Sequence, residues 1–460
     1  MKDVTRYDVM VIGSGSGAEI ADLALQQGLT VAYVDRGPLG GTCANVGCIP
    51  TKMIIFPADM IMEMREAQRL GVDGVLRSVD FRKIMRRTRH HVDHERLQME
   101  ASLRHPPENL DFYGAEGRFV GRYTLEVSGR RIRADQIFIV AGARTDVPPI
   151  EGIEDAGFLD NVTALQLDEL PPSITIIGGG YIACEFAHFF SAMGSDVTIV
   201  QRNRYLAPSE DREVSELLAA KLGERMRVVT GHEVTAVRVE GGERVVVARN
   251  VTTGAKQEHR SAAIMLAAGR ISNADVLQVE NADVEVDGRG YIRVDQYLRT
   301  SVPKIWAFGD VIGREMFKHV ANREAIIAWH NSQHDHMVGL DYRSAPHAIF
   351  TWPQIASVGL TEAEAKAEYG DILVGKAHYT DVAKGIAMME PDSFAKAVVE
   401  PESGRILGFH IIGRYAPIVI QEVVQAMATG AGIDAISAGM HIHPALSEVV
   451  LRALSHLHPA

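Results

Sequence analysis

Tyr7-Asp8-Val9-Met10-Val11-Ile12 runs into Gly13-Ser14-Gly15-Ser16-Gly17-Ala18, and the plan returns at Ser173-Ile174-Thr175-Ile176-Ile177 into Gly178-Gly179-Gly180-Tyr181-Ile182-Ala183. In each copy a β-branched strand meets a glycine turn, a helical stretch follows, and a second strand ends on a polar residue about 20 residues later. Those strand ends are Asp35, after Val31-Ala32-Tyr33-Val34, and Gln201, after Val197-Thr198-Ile199-Val200. Gly13 and Gly15, like Gly178 and Gly180, allow a tight turn and close approach of a pyrophosphate to a helix N-terminus. The small Ala18 and Ala183 let helix and strand pack closely. One such motif is weak; two, each in its strand–turn–helix setting, predict an α/β chain with two dinucleotide sites.

The strand ends separate the two cofactors. Asp35 can accept hydrogen bonds from a ribose diol, as an adenine nucleotide such as FAD requires. Gln201 lacks that charge and is followed by Arg202 and Arg204, which can attract a 2′-phosphate. The second site is therefore expected to prefer NADPH, the alternative being that the arginines form a solvated strand end.

Between the repeats lies Gly40-Gly41-Thr42-Cys43-Ala44-Asn45-Val46-Gly47-Cys48-Ile49-Pro50-Thr51-Lys52, which holds two of the chain's 3 cysteines. On a regular helix their Cα atoms would lie about 8.6 Å apart, beyond the roughly 7 Å reach of a disulfide. The helix is expected to be distorted here, by Pro50 acting on the carbonyl of Val46 and by Gly47. A bond in a distorted turn suits a labile, catalytic disulfide. Buried thiols or half a zinc site are the alternatives, but no second cysteine pair completes four ligands. Cys184 reads as a small buried hydrophobe on a helix.

Composition sets the remaining limits. The chain has 460 residues, 46% of them hydrophobic and 23% charged, enough for about three domains. A formal net charge of -12 argues against nucleic acid as a partner. No apolar run approaches the roughly 18 residues needed to cross a bilayer. A cycling dithiol in a cysteine-poor chain points to the reducing cytoplasm.

Two cofactor sites and a dithiol imply electrons passing between nicotinamide, flavin and the Cys43–Cys48 pair. Exchange with an external disulfide then needs a base beside the attacking sulfur. His441-Ile442-His443-Pro444-Ala445-Leu446-Ser447-Glu448 supplies one: Pro444 is expected to open a helix, with His443 outside it and Glu448 placed to orient the imidazole.

With these residues in view, the chain resembles the pyridine nucleotide-disulfide oxidoreductases, which include dihydrolipoamide dehydrogenase, glutathione reductase and mycothione reductase. The likeness also rests on Val140-Ala141-Gly142, Ala268-Gly269-Arg270 and Ile305-Trp306-Ala307-Phe308-Gly309-Asp310, and spans nearly the whole chain. It implies that Cys43 is the interchange thiol and Cys48 the thiol next to the flavin. It implies that Lys52 and Glu185 form an ion pair beside the flavin, that Tyr181 lids the nicotinamide pocket, and that Asp310 contacts the ribityl chain. Gly41, Thr42, Ala141 and Gly142 join the FAD site, and Gly269 the NAD(P) site. His443 and Glu448 match an acid–base dyad that reaches the dithiol of the other subunit, so a homodimer with a composite active site follows.

The implied architecture is two Rossmann-like domains plus a C-terminal α+β dimerisation domain. FAD-binding segments are expected at 1–148 and 272–340, an NAD(P)-binding domain at 149–271, and an interface domain at 341–460 built on a mixed sheet. The substrate expected first is a lipoyl disulfide or dithiol, free or on a carrier protein, as in dihydrolipoamide dehydrogenase. The alternative is a small disulfide reduced with NADPH, as in mycothione reductase, which Thr51-Lys52-Met53, Lys318-His319-Val320-Ala321-Asn322 and Asp381-Val382-Ala383 resemble more closely. A flavin-binding subunit without turnover is a further alternative, disfavoured by the complete set of Cys43, Cys48, His443 and Glu448.

Overall fold

Val9 to Ile12 are buried side by side rather than alternately, the pattern of a strand covered on both faces of a parallel sheet. The computed structural model describes residues 4–460 and divides into two compact units. The first comprises the residues up to Met53, Arg86–Asp146 and Arg270–Leu340. Its sheet runs in the order Leu110–Tyr113, Val31–Val34, Val4–Ile12, Arg130–Ile139, Thr124–Val127, Gly117–Gly121, with Ile305–Ala307 also paired to Arg130–Ile139. The strands from Leu110–Tyr113 to Arg130–Ile139 pair in parallel, whereas the last two form an antiparallel meander. Ile20, Ala21 and Ala24 of the helix Gly17–Gln26 are buried in the same core as Val9, Val11 and Phe138.

The second unit comprises Ile54–Met85, Val147–Gly269 and Asp341–Ala460. It contains a four-stranded parallel sheet in the order Arg227–Thr230, Asp196–Gln201, Ser173–Ile177, Ala263–Leu266. Beside it lies an antiparallel ribbon of His232–Glu240, Glu243–Asn250 and Lys256–Ser261. The helix Tyr181–Met193 is buried from Ala183 onward, Cys184 included. Burial pushes the Cys184 thiol up to about 12, which removes it from thiol chemistry.

The C-terminal part carries six strands ordered Pro346–Ile349, Ile355–Gly359, Ile406–Ile412, Phe394–Val399, Leu373–His378, His458–Pro459. Every pairing in this sheet is antiparallel, which corrects the mixed sheet expected from the sequence. Phe394–Val399 and Ile406–Ile412 are buried throughout, so they lack the polar alternation by which a half-solvated antiparallel strand is recognised.

One buried residue there is a lysine. The Lys396 ammonium lies 2.9 Å from Asp211, 2.8 Å from Glu213 and 2.6 Å from Glu362. Burial works against its charge, yet the hydrogen bonds to Glu213, Glu362 and Asp211 hold it above its ordinary range. Asp211 also caps the helix Arg212–Gly223, so the cluster ties that helix to the C-terminal sheet. Lys396→Met leaves three carboxylates without their shared cation. It is expected to cost about 3–5 kcal/mol, read as a lower urea midpoint; an unchanged midpoint would show the cluster to be energetically neutral.

Candidate active site

The two glycine loops share a long-range partnership. Gly13 has φ of 112°, and a Cβ there would lie 2.2 Å from the carbonyl oxygen of Val140; Gly178 has φ of 117°, and its Cβ would lie 2.2 Å from that of Ala267. Each loop thus abuts the end of the strand paired to its own first strand. Val140-Ala141 and Ala267-Ala268 thereby stand against the two loops. No other residue tolerates both the backbone angle and the contact.

In the first loop, Asp35 accepts from the Ser14 and Gly37 amides, and Ser14 Oγ accepts from the Gly40 amide. Gly15 has open space where a side chain would stand, room for a phosphate to approach the backbone. The partly buried Asp310 lies 3.4 Å from Arg270, and desolvation raises its carboxyl while Arg270 pulls it down. A carboxylate so placed favours hydroxyl donors such as those of a ribityl chain. Its turn is fixed by buried Glu324, which accepts from the Gly309 amide at 2.7 Å, an anchor the sequence reading missed. Loop, acid and open backbone together fit FAD.

The thiol segment starts on this loop. A Cβ at Gly41 would meet Gly15 Cα at 2.8 Å, so the helix Gly41–Val46 begins against the phosphate-binding turn. Asn45 Nδ2 donates to Leu39 O at 2.7 Å and Gly41 O at 2.9 Å, a second support not anticipated from the sequence. The helix stops at Gly47, whose φ of -131° and ψ of -121° are non-helical, and a new helix, Cys48–Glu66, starts at the second cysteine. The expected distortion is a break between the two thiols. Thr51 Oγ1 and the Thr51 amide both bond to Gly47 O, at 2.8 and 3.0 Å, and re-establish the helix beyond it.

Cys43 and Cys48 are both thiols here, Cys43 half-buried and Cys48 exposed. The hydrogen bond with Cys48 is the largest influence raising the Cys43 thiol, burial adds to it, and the positive charge of Lys318 opposes both. Lys52 lies one residue beyond Thr51, with Nζ 3.5 Å from Thr51 Oγ1. Thr42 is exposed at the start of the same segment.

The remaining candidates belong to the second unit. Glu185 is buried and accepts from the Phe350 amide at 3.0 Å. Tyr181 is the first residue of its helix, after the N-cap Gly180. The Gln201 side chain is buried against the second glycine loop, 2.9 Å from where a Gly179 Cβ would stand. Arg202 and Arg204 are exposed beside it, Arg204 resting over the Tyr205 ring.

His443 Nδ1 lies 2.9 Å from Glu448 Oε1, and Glu448 Oε2 accepts from the Ala445 amide at 3.0 Å. These two bonds, His443 first, hold the Glu448 carboxyl below its usual range. A carboxylate on Nδ1 selects the tautomer whose Nε2 carries the lone pair, and the His443 side chain is 72% exposed, so that nitrogen can reach a reactant. The helix opens at Glu448, with Ser447 as its N-cap, not at Pro444 as expected; the residues between form a turn whose Ala445 amide donates to the Glu448 carboxylate.

The description "Pyridine nucleotide-disulphide oxidoreductase" matches residues 7–325, and the dimerisation domain of the same family matches residues 345–454. The chain belongs to this family. A mycothione reductase of Mycobacterium tuberculosis (strain ATCC 25618 / H37Rv) is 38% identical over 460 residues, covering 97% of this chain and 98% of that protein. A dihydrolipoyl dehydrogenase of Bacillus subtilis (strain 168) is 33% identical over 458 residues, covering 96% and 97%. Among solved structures, a Cu(II) complex of the HOCl-induced flavoprotein disulfide reductase RclA from Escherichia coli matches with a TM-score of 0.86 at 28% identity, covering 98% of this chain and 99% of that one. This pyridine nucleotide-disulfide oxidoreductase is therefore a flavoprotein that uses FAD and NAD(P)H, acts on a disulfide-type substrate and carries a dimerisation domain. None of its helices is long and apolar enough to cross a membrane, among the described residues.

Proposed function

We propose that this oxidoreductase reduces a low-molecular-weight disulfide with NADPH, in the manner of a mycothione reductase. The coenzyme loop carries the reading: Gln201 stands where an acid would repel a 2′-phosphate, and Arg202 and Arg204 are exposed beside it. The 38% identity to mycothione reductase supports it further. The second reading is a lipoyl dehydrogenase, favoured by the 33% identity to the Bacillus subtilis enzyme; the His441-x-His443-Pro444 tail is common to both readings. Under either reading, bound FAD relays electrons between the nicotinamide and the dithiol.

In this proposal 1–148 and 272–340 bind FAD, 149–271 binds the nicotinamide and 341–460 forms the dimer interface, in a reducing cytoplasm. The Cys43 thiolate attacks the substrate disulfide and releases its first half as a thiolate, Cys48 then attacks the resulting mixed disulfide to form the Cys43–Cys48 bond and release the second half, and His443, oriented by Glu448, gives a proton to a thiolate departing from the other subunit's dithiol. Lys52 and Glu185 pair beside the flavin, and Tyr181 covers the nicotinamide pocket.

A charge-assisted hydrogen bond is worth about 1.5–3 kcal/mol, so one well-formed contact to the 2′-phosphate gives roughly tenfold or more in selectivity. The expected result is a kcat/KM that favours NADPH by at least that margin, reversed by Gln201→Glu combined with Arg202→Ala. Steady-state assays with lipoamide, glutathione disulfide and mycothione disulfide against both coenzymes read substrate and coenzyme together. Strong NADH preference with lipoamide turnover would replace this reading with the second.

A further inference from the structure

Lys318 stands at the meeting point of the phosphate loop and the dithiol. It is the first residue of the helix Lys318–Gln333. Its Nζ donates to Ser16 Oγ at 3.0 Å, and Ser16 in turn donates to Asn322 Oδ1, one turn along Lys318's own helix, at 2.9 Å. Ser16 lies between Gly15 and Gly17, and Gly15 is the residue against which the thiol helix begins. The ammonium is thus held by the loop that the thiol segment packs on. Half-buried, it loses proton affinity by desolvation, and the groups that restore it are Cys43, Cys48 and, on the helix Gly17–Gln26, Glu19. The same charge acts against the rise of the Cys43 thiol.

Reduction of the pair breaks one S–S bond with two electrons and one proton, leaving one thiol and one thiolate. With Cys43 half-buried, the negative charge of the pair is favoured by a fixed counter-charge. The charged group set against the pair is Lys318; Glu19, on the helix Gly17–Gln26, acts on the Lys318 ammonium itself and favours its charged form. Glu324 on the Lys318 helix is engaged with the Gly309 amide, and the N-terminus of that helix adds a partial positive charge. We propose that Lys318 is the positioning cation that holds the reduced Cys43–Cys48 pair in its thiol–thiolate form, anchored to the phosphate loop through Ser16. This rests on the disulfide reductase reading of the same site.

The test is a pH titration of the two-electron-reduced holoenzyme, following the long-wavelength thiolate–flavin absorbance and, separately, the rate of cysteine alkylation by iodoacetamide. A neighbouring opposite charge lowers an acid's midpoint, by about 1–3 pH units where the contact is close. Lys318→Met is therefore expected to raise both midpoints by about one pH unit or more, and Lys318→Arg to keep them near wild type. The helix N-terminus is intact in both variants, so its contribution cancels. Coincident midpoints for wild type and Lys318→Met overturn the proposal while leaving the reductase reading intact; a wild-type enzyme with no such absorbance overturns the reading beneath it. Where Lys318→Met sheds FAD, the alkylation midpoint of the flavin-free variant is compared with that of flavin-free wild type, and the same shift or its absence decides.

Discussion

Cys43→Ser is expected to show the long-wavelength thiolate–flavin band without any reductant, while Cys48→Ser is expected to lack the band even after reduction. Both lose disulfide turnover on the order of a thousandfold or more, because each removes a group that forms a covalent bond in the cycle. The difference follows from the proposed roles, Cys43 toward the substrate and Cys48 toward the flavin. The helix break at Gly47 puts Cys43 on the short helix Gly41–Val46 and Cys48 at the start of the next one, so the sulfurs have different surroundings. Without Cys43, Cys48 has no sulfur to bond and persists as a thiolate. A band in resting Cys48→Ser, absent from Cys43→Ser, would exchange the two roles.

His443→Ala is expected to lower turnover about 100-fold or more, the usual loss on removing a positioned acid–base group, and to spare reduction of the flavin by nicotinamide. The pairing with Glu448 explains the split. Glu448, held ionised by His443 and the Ala445 amide, orients the imidazole and balances its positive charge when it takes a proton. In the proposed cycle the dyad serves thiol exchange alone. Stopped-flow separation of the half-reactions checks this: equal slowing of both would give His443 a role in folding or flavin binding instead.

Both nucleotide loops were legible because each is local: a β-branched strand, glycines and a helix in one short stretch. The contacts that make Gly13 and Gly178 indispensable were not, since Val140 and Ala267 lie far along the chain and meet the loops only through sheet pairing. Pro50 and Gly47 announced a distorted helix, but the clean break between the cysteines depends on Thr51 returning two hydrogen bonds to Gly47. Pro444 looked like a helix opener. Glu448 instead spends its carboxylate on Ala445 and His443, and the helix starts four residues later than the proline. In the C-terminal sheet, double-sided burial erased the alternation that separates antiparallel from parallel strands. Lys396, an ion inside an apolar run, was the visible sign that this burial includes a polar cluster. Lys318 was legible only as part of a family-like stretch, because its bond to Ser16 spans 302 residues of sequence.

Electrons are expected to pass through the Cys43–Cys48 disulfide, and anaerobic titration of the wild-type holoenzyme with NADPH, watched across the visible spectrum, checks this. Two electrons per FAD should leave the flavin oxidised and produce the long-wavelength thiolate band; direct bleaching of the flavin by the first two electrons, with no such band, would rule out the disulfide as the electron carrier.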